Sequence, residues 1–350
     1  MCCGTMMSGG AERVLSILST PFADAFDSVE YIMWLKSDVF YKIDSRVRLT
    51  FIQDKCGSAN QLQKMIWFRK HVKQESPTMI LSFMVMINFS TVASLVGTRT
   101  NIIVAERNDP RFFAHGKALR KIIDLSYRLP CVKKILMQTQ NNKDYFKGTL
   151  KRKTDIIFNP VIMSENYIGA ALNTTKEDLI VSVGRLESQK RQELIIRAFA
   201  ELKKTHPSYR LVIYGEGNRA DELMDYACEL MVDDRVSLPG RNDNVWDRIR
   251  YARAFVMSSD YEGMSNSLIE AMCLGLPCIS TKVSGATDLI EHGSNGILTD
   301  SGDWQQIYEA LTKVVDDEAY ATSLGQSAVK VYEKLKLPVI EKQWIDILTK

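Results

Sequence analysis

Short β-rich runs alternate with helical patterns along the second half of the chain, and this alternation restricts the fold more than any other feature of the sequence. The run at residues 179–183 stops at Gly184 and is followed by a helical pattern with an apolar face over residues 194–202. Similar runs are predicted as strands at residues 209–214, 236–238, 254–257 and 277–280. Strands that alternate with helices form a parallel sheet with helices on both faces, so this half is predicted to be α/β.

Ligands of such sheets bind in the loops beyond the carboxyl ends of the strands. In this half, those loops contain Gly184, Gly215, Gly240 and Glu262. We therefore expect these four positions to lie at one edge of the sheet and to border a binding site.

The first half shows the same alternation less regularly. Gly9 and Gly10 precede a helical pattern, and strands are predicted at residues 47–51, 79–83, 101–105 and 134–137. A chain of 350 residues exceeds the roughly 100–200 residues of one domain, which predicts two domains. They are predicted at residues 1–160 and 161–335, with a last helix at 336–350 that crosses back to the first domain.

Composition and charge exclude several classes of protein. A net charge of +3 is too small to indicate nucleic-acid binding, so no nucleic-acid partner is expected. The seven cysteines are scattered without metal-finger spacing, which favours reduced thiols in a cytoplasmic protein without a metal site. Adjacent Cys2 and Cys3 leave open a pair of metal ligands or a lipid attachment.

The longest apolar stretch, at residues 79–89, bears on membrane association. It is shorter than the about 20 residues that cross a bilayer, and it is predicted as a strand that runs into a helix. Any membrane role is therefore expected to be peripheral.

The first group of candidate site residues is the segment Gly184-Arg185-Leu186-Glu187-Ser188-Gln189-Lys190. It lies between a predicted strand and a predicted helix, where free backbone N–H groups and the positive end of the helix dipole favour an anion. Arg185 adds a fork of donors and Lys190 a compact charge, which suits a diphosphate. The alternative is an exposed basic loop without a ligand.

The second group lies between Asp260 and Met272 and contains two carboxylates, Glu262 and Glu270. Gly263 and the Ser-Asn-Ser run at 265–267 suit a tight turn and a helix N-cap, so Glu262 is predicted in the loop and Glu270 in the helix. Backbone N–H groups near Met264 could bind phosphate or sugar oxygens. Glu270 has apolar neighbours, which indicates a buried carboxylate with a hydroxyl partner; the alternative is a solvent-facing residue.

Together these segments give the second half a resemblance to the retaining family-4 glycosyltransferases of the GT-B fold. Order and spacing agree over about residues 175–300, and the motifs are specific in combination. The residues that carry the resemblance are Gly184-Arg185-Leu186-x-x-Gln189-Lys190, Gly215-x-Gly217, Glu262-x7-Glu270, Gly275-x-Pro277 and Gly293-x-Asn295-Gly296. The first half extends it through Ser8-Gly9-Gly10-Ala11-Glu12-Arg13-Val14.

The resemblance implies two Rossmann-like doubly wound domains that face a central cleft. It implies that Arg185 and Lys190 hold the donor diphosphate, that Glu270 binds the ribose hydroxyls, and that Glu262 contacts the transferred sugar as a catalytic residue. The other donor-binding residues that it implies are Gly9, Gly10, Gly215, Gly240, Arg241, Met264, Ser265 and Asn266. It further implies retention of anomeric configuration, a nucleoside-diphosphate sugar as donor, most often UDP-linked, and no metal or other cofactor.

The first half departs from the family at two places. Only Met1-Cys2-Cys3 precede Gly4 where the family has a full strand, so that strand is either very short or truncated. Many family members carry an active-site histidine where this chain has Glu106. Glu106 is predicted to polarise the acceptor hydroxyl or to bind the donor sugar, and the alternative is a cluster of helix caps and salt bridges.

Basic residues with interleaved aromatic residues occur in the first half. The basic ones are Arg69, Lys70, His71, Lys73, Lys117, Arg120, Lys121, Arg128, Lys133, Lys134, Lys147, Lys151, Arg152 and Lys153, and the aromatic ones are Trp67, Phe68, Phe112, Phe113, Tyr145 and Phe146. This combination suits an anionic membrane at the cytoplasmic face and an acceptor glycan that is lipid-linked. The alternative is a set of solvated helix faces.

The sequence therefore predicts a glycosyltransferase that extends a lipid-linked or surface polysaccharide. Two further hypotheses stay open at this point. One is a nucleotide-sugar epimerase or a phosphorylase of the same architecture, because fold alone does not determine function. The other is a non-catalytic subunit that binds a nucleotide sugar.

Overall fold

The chain folds into two compact units in a computed structural model that describes residues 1–7, 9–57 and 59–349. The first unit comprises Met1–Pro160 and Leu337–Lys350, and the second comprises Val161–Lys336. Ser8, which belongs to the Gly-Gly motif, lies outside the described residues.

The described residues contain thirteen strands. In chain order they are β1 (Cys2–Cys3), β2 (Glu30–Met33), β3 (Arg48–Phe51), β4 (Met79–Phe83), β5 (Asn101–Ala105), β6 (Val132–Met137), β7 (Thr154–Ile156), β8 (Leu179–Val183), β9 (Arg210–Tyr214), β10 (Val236–Gly240), β11 (Ala254–Met257), β12 (Cys278–Thr281) and β13 (Ile297–Thr299).

Sixteen α-helices connect and flank these strands within the described residues. They are α1 (Gly10–Ala25), α2 (Ile52–Cys56), α3 (Gln61–Glu75), α4 (Val85–Ser94), α5 (Lys117–Ser126), α6 (Gln140–Tyr145), α7 (Gly148–Lys153), α8 (Gln192–Thr205), α9 (Ala220–Glu229), α10 (Val245–Ile249), α11 (Asn266–Leu274), α12 (Ser284–Leu289), α13 (Trp304–Asp316), α14 (Glu318–Ala328), α15 (Tyr332–Leu335) and α16 (Leu337–Leu348).

The first unit contains a seven-stranded parallel sheet in the order β3-β2-β1-β4-β5-β6-β7. The strand that the sequence left in doubt, β1, is two residues long and still pairs with both β2 and β4 at the centre of the sheet. Its two cysteines are buried on opposite faces, as alternation along a strand requires.

The last helix, α16, packs in the first unit. The ring of Trp344, which is fully buried, lies 5.7 Å from that of Phe83 and 6.4 Å from that of Phe22. Burying large aromatic side chains contributes much of the free energy of a core, and here it fixes the end of the chain to β4 and α1.

The second unit contains a six-stranded parallel sheet in the order β10-β9-β8-β11-β12-β13. The strands β8, β11 and β12 are buried almost along their whole length, as expected for a parallel sheet with both faces covered. One core includes residues of α8 and α13, such as Phe199 and Leu311, together with Ile180 and Val256 of the central strands.

Each sheet has a point at which the strand order reverses. The reversal falls between β1 and β4 in the first unit and between β8 and β11 in the second. Loops that leave the carboxyl ends of two such strands diverge in opposite directions and leave a crevice where ligands bind. The loops after β8 and β11 carry the two groups of site residues predicted from the sequence.

None of the described helices is long and apolar enough to cross a membrane. The apolar stretch at residues 79–89 forms β4 and the first half of α4, as predicted.

Candidate functional site

The loop after β8 is shaped by two glycines of the neighbouring loop. Gly184 donates its N–H to the carbonyl of Tyr214 at 2.9 Å. A Cβ atom on Gly215, whose φ is 145°, would lie 1.9 Å from the carbonyl oxygen of Gly184, and one on Gly217 would lie 2.2 Å from that of Leu186. Only glycine permits this close approach of two backbones, so the Gly-x-Gly motif serves to hold the β8 loop in place.

Lys190 and Glu262 meet at the reversal point of the second sheet. The Lys190 ammonium is in direct contact with Oε1 of Glu262, and the two side chains are only 16% and 12% exposed. Ser259 donates its hydroxyl to the same carboxylate oxygen at 3.1 Å. The structure therefore joins a predicted phosphate ligand from one loop to a predicted sugar ligand from the other.

Hydrogen bonds between the two loops fix this arrangement. The hydroxyl of Ser258 donates to the carbonyl of Lys190 at 2.8 Å, and the N–H of Asp260 donates to the carbonyl of Gln189 at 2.9 Å. The Gln189 side chain returns a bond to the carbonyl of Tyr261 at 2.6 Å. Such bonds hold the loops before any ligand arrives, which lowers the entropy cost of binding.

Arg185 has a fixed backbone and a side chain in solvent. Its carbonyl accepts a hydrogen bond of 2.8 Å from the buried side chain of Gln192. Its guanidinium is 69% exposed and pairs with Glu187 at 2.7 Å. Exposed ion pairs of this kind are weak, so a more highly charged anion can displace Glu187.

Glu270 is the buried carboxylate that the sequence indicated, and a tryptophan indole is one of its partners. It lies in α11 with 8% of its surface exposed and accepts a hydrogen bond of 2.9 Å from the indole N–H of Trp246. The Trp246 ring in turn makes an edge contact of 5.5 Å with Tyr167. Trp246 was missed by the sequence analysis, because a tryptophan in a short helix is usually read as a core residue.

The start of α11 places Met264, Ser265 and Asn266 beside Glu262. The Ser265 hydroxyl caps the helix by accepting from the N–H of Leu268 at 3.4 Å. A Cβ on Gly285 would lie 2.4 Å from the carbonyl oxygen of Gly263, so a glycine is needed in α12 beneath this turn. Gly285 is a further residue that the sequence analysis did not single out.

Gly240 is the last residue of β10, and Arg241 begins the loop that follows. Gly240 has a φ of 82°, and its carbonyl accepts from the N–H of Gly215 at 2.9 Å, which links this loop to the Gly-x-Gly motif. Arg241 is 43% exposed and pairs with Asp243 at 3.2 Å.

A surface depression of about 620 Å³ lies beside the β8 loop and does not include Lys190, Glu262 or Glu270. Its lining residues are Ser188, Gln189, Arg191, Glu193, Asn218, Arg219, Glu222, Asp260 and Tyr261. The cations there are already paired, since Glu193 binds both Arg191 at 2.6 Å and Arg219 at 2.9 Å. This pairing indicates a structural network rather than a receptor for an anion.

In the first unit, Gly9 and Gly10 lie at the start of α1, where the carboxylate of Glu12 folds back onto them. A Cβ on Gly9 would lie 2.2 Å from Oε2 of Glu12, and Thr5 donates its hydroxyl to Oε1 at 3.0 Å. The atom in question is the end of a flexible side chain, which can move aside, so this contact alone does not require glycine at position 9. The predicted approach of Gly9 and Gly10 to a phosphate stays a prediction.

Glu106 lies in a buried ion-pair cluster, which favours the salt-bridge alternative over a catalytic role. It is 2% exposed, and Oε2 accepts from Nη1 of Arg120 at 2.8 Å. Arg120 also binds Asp124 at 2.6 Å, and Tyr145 donates to Asp124 at 2.7 Å. A carboxylate so placed has little access to a substrate hydroxyl.

Some residues that the sequence assigned to a basic and aromatic surface are buried in the structure. Arg120, Phe68 and Phe146 are buried, so their assignment to that surface was wrong: they pack in the core of the first unit. Lys117, Lys121 and Arg128 are exposed as predicted. Among the described residues, no group of three or more His, Cys, Asp or Glu side chains is placed to hold a metal ion.

Comparison with known proteins gives the following matches. The model of the family described as Glycosyl transferases group 1 matches residues 164–331. A relative from Campylobacter jejuni is 26% identical, with 98% of this chain and 96% of the relative covered; it is named GalNAc-alpha-(1->4)-GalNAc-alpha-(1->3)-diNAcBac-PP-undecaprenol alpha-1,4-N-acetyl-D-galactosaminyltransferase. The lipopolysaccharide 1,6-galactosyltransferase of Escherichia coli K12 is 24% identical, with 89% of this chain and 87% of that protein covered.

Two solved structures share the fold along the whole chain. Anabaena HepE in complex with UDP and glucose matches with a TM-score of 0.81 at 19% identity, covering 99% of this chain and 98% of HepE. The apo form of the lipopolysaccharide outer core galactosyltransferase WaaB matches with a TM-score of 0.78 at 19% identity, with the same coverage.

Proposed function

We propose that this chain, a glycosyltransferase of the GT-B fold whose residues 164–331 match the model of the family Glycosyl transferases group 1, transfers a sugar from a UDP-sugar to a glycan hydroxyl. The acceptor in this proposal is a growing lipid-linked glycan or polysaccharide, and the configuration of the sugar is retained. Relatives named for lipopolysaccharide and undecaprenol-linked substrates support the acceptor class. The HepE complex with UDP supports the donor class.

The contact between Lys190 and Glu262 is the observation that carries the proposal. It places a largely buried cation and a largely buried carboxylate at the reversal point of the second sheet. When a donor binds, the ammonium of Lys190 exchanges the carboxylate for a diphosphate oxygen. Glu262 then accepts hydrogen bonds from hydroxyls of the sugar, which are the natural donors for a carboxylate released in this way.

The positive charges act on the leaving group. As the bond between the anomeric carbon and the diphosphate oxygen breaks, negative charge develops on the diphosphate, and Lys190 and Arg185 stabilise it. In this proposal they do so without a metal ion, and we expect a chelator to leave turnover unchanged. The acceptor oxygen forms the new bond to the anomeric carbon on the same face, and its proton passes to the departing phosphate oxygen.

Glu270 is assigned to the nucleoside. A carboxylate accepts hydrogen bonds from two adjacent hydroxyls, which is the geometry that a ribose offers. The indole N–H of Trp246 holds the carboxylate from the protein side at 2.9 Å. Gly240 and Arg241, in the loop before Trp246, are assigned to the base.

The first unit is proposed to contact an anionic membrane through α5. Ile122 and Leu125 on this helix are 53% and 63% exposed, and Lys117, Lys121 and Arg128 lie on or next to the same helix. Exposed apolar side chains flanked by lysine and arginine bind the interface of anionic bilayers. The enzyme would then meet a lipid-linked acceptor at the cytoplasmic membrane surface in which the lipid of that acceptor is embedded.

Sedimentation with vesicles tests this contact. The wild type is expected to sediment with vesicles of phosphatidylglycerol and phosphatidylcholine at low salt, and less with phosphatidylcholine alone. The variant Ile122→Ser, Leu125→Ser should lose most of this binding while its turnover with a soluble acceptor is retained. Equal sedimentation of the variant and the wild type would contradict the assignment of α5.

A panel of nucleotide sugars tests the main proposal. A true donor at about one hundred times its dissociation constant should stabilise the protein by about 2.7 kcal/mol in thermal unfolding. That donor should then release UDP only when a glycan acceptor is present. Conversion of the donor to an isomeric sugar would indicate an epimerase. Phosphate-dependent cleavage of a glycan would indicate a phosphorylase. Binding without turnover would indicate a non-catalytic subunit.

A further inference from the structure

We propose that Arg107 forms a second oxyanion site at the carboxyl edge of the first sheet and binds a phosphate group of a substrate. This inference rests on the proposed function, which supplies two substrates with diphosphates. The site lies in the first unit, and neither the predicted donor residues nor the comparisons assign it.

Position is the first argument for this site. Arg107 follows β5, Gln138 follows β6, and Asn159 follows β7, so three polar side chains leave the carboxyl ends of adjacent strands. The guanidinium also lies 5.5 Å from the ring centroid of Phe83, the last residue of β4. Because the strand order reverses between β1 and β4, the guanidinium is next to the place where sheets of this type bind ligands.

The contacts of Arg107 are the second argument. Nη2 donates to the Oδ1 atom of Asn159, and the Gln138 amide, oriented to satisfy both of its polar atoms, accepts from Nη2 at 3.1 Å and donates to the Arg107 carbonyl at 2.7 Å. These amides fix the side chain without neutralising it. Nε and Nη1 donate to no acceptor among the residues that the structure describes.

Charge is the third argument. No carboxylate pairs with Arg107 in the described part of the chain, whereas Arg120 binds both Glu106 and Asp124. The Cys3 thiol is the one titratable group described as acting on Arg107, and burial raises its pKa to about 12, so it is neutral near pH 7. Burial also lowers the pKa of the Arg107 guanidinium to about 9. Arg107 is half-buried as a residue, and a guanidinium without a counter-ion that is already held by amides is arranged to receive an anion.

Backbone strain at the same edge agrees with this reading. Met84, which directly follows Phe83, has a φ of 73° and is 40% exposed. A residue other than glycine is strained in this region of backbone conformation, and such residues are concentrated at ligand sites.

The oxyanion has two sources in the proposed reaction, the diphosphate of the donor and that of a lipid-linked acceptor. Kinetics of the full-length enzyme distinguish them. If the donor is the source, Arg107→Gln raises the KM for the donor about tenfold or more and weakens the thermal stabilisation by UDP. If the acceptor is the source, only the KM for a diphosphate-bearing acceptor rises, and an acceptor that lacks phosphate is used equally by variant and wild type.

Two control variants accompany this test. Arg107→Lys keeps the charge and should recover part of the lost affinity. Arg111→Gln removes an exposed arginine of the same segment, paired with Asp109, and should leave both KM values unchanged. Unchanged KM values for both substrates in folded Arg107→Gln would overturn the proposal.

A chemical-modification experiment on the wild-type protein tests the site without measuring turnover and without requiring a variant to fold. The wild-type protein is treated with phenylglyoxal, with or without inorganic pyrophosphate, and modified arginines are located by peptide mass spectrometry. Pyrophosphate should protect Arg107 and leave Arg111 reactive. Equal modification of Arg107 in both samples would reject the site. Because no transfer is measured, protection of Arg107 would stand even if no donor were turned over.

Discussion

The indole N–H of Trp246 donates a hydrogen bond of 2.9 Å to Oε2 of Glu270, which ties a residue of α10 to the carboxylate assigned to the ribose. The carboxylate is buried, so the direction in which its other lone pairs point depends on this bond. In the proposed function, Trp246 therefore acts on the donor through Glu270 and is a positioning residue.

Trp246→Phe keeps an aromatic ring beside Tyr167 and removes only the N–H donor. Hydrogen bonds to charged groups contribute about 1.5–3 kcal/mol, so we expect UDP affinity to fall roughly tenfold or more in calorimetry. Trp304→Phe, the same change on a tryptophan that packs on Arg197 in the same unit, should leave UDP affinity unchanged. Equal affinities of Trp246→Phe and the wild type would show that Glu270 does not depend on this bond.

Much of the fold was predictable from local sequence pattern. The GT-B fold and the enzyme class predicted from the sequence are confirmed, and the model of Glycosyl transferases group 1 matches residues 164–331. The strands β4, β5, β8 and β11 begin and end where the apolar runs predicted them. The strands β2 and β13 were missed because runs of four and three residues carry too little periodicity to be recognised.

The sequence identified single residues of the site, but it could not predict contacts between residues that are distant in sequence. The motifs identified Lys190 and Glu262 separately, but 72 residues separate them, and only the parallel order of β8 and β11 brings them together. Glu106 illustrates the opposite case. Its place where many members of the resembled family carry an active-site histidine suggested chemistry, whereas Arg120, fourteen residues later on α5, pairs with it.

UDP binding should respond in opposite ways to substitution of Lys190 and of Glu262. The two side chains pair when the donor is absent, so Glu262 competes with the diphosphate for Lys190. Lys190→Met removes the cation and should lower UDP affinity by roughly tenfold or more, about 1.4 kcal/mol, without changing uridine affinity. Glu262→Gln leaves Lys190 free for phosphate, so UDP affinity should be kept or increased while kcat falls. Calorimetry with UDP and uridine, together with steady-state kinetics, measures both effects.

The matched control for Lys190 is Lys204→Met, which changes a lysine of α8 that is 68% exposed. It should bind UDP and uridine like the wild type. The assignment of Lys190 to the diphosphate would be contradicted by an equal loss of UDP and uridine affinity in Lys190→Met.

Gly215→Ala should destabilise the second unit because its Cβ would overlap the backbone of the β8 loop. The added Cβ would lie only 1.9 Å from the Gly184 oxygen, and the φ of 145° is strained for alanine, so we expect a loss on the order of 3 kcal/mol in the free energy of unfolding. Gly240→Ala separates the two causes. Its φ is 82°, but no atom lies within 4 Å of the added Cβ. The free energy of unfolding should therefore fall only by the cost of the strained backbone, about 1–2 kcal/mol. Urea unfolding of both variants measures the difference, and equal losses would show that the close approach of the two loops is unimportant.

Glu106→Gln tests whether this carboxylate serves stability or catalysis. Removing one partner of a buried ion pair leaves Arg120 under-compensated and should lower the free energy of unfolding by about 3 kcal/mol. Asp144→Asn, which breaks the exposed pair with Lys151, should cost less than about 1 kcal/mol. We expect the folded fraction of Glu106→Gln to keep a kcat close to that of the wild type, because the carboxylate is 2% exposed and paired with Arg120. A drop in kcat of a hundredfold or more at unchanged stability would instead restore the catalytic role that the sequence suggested.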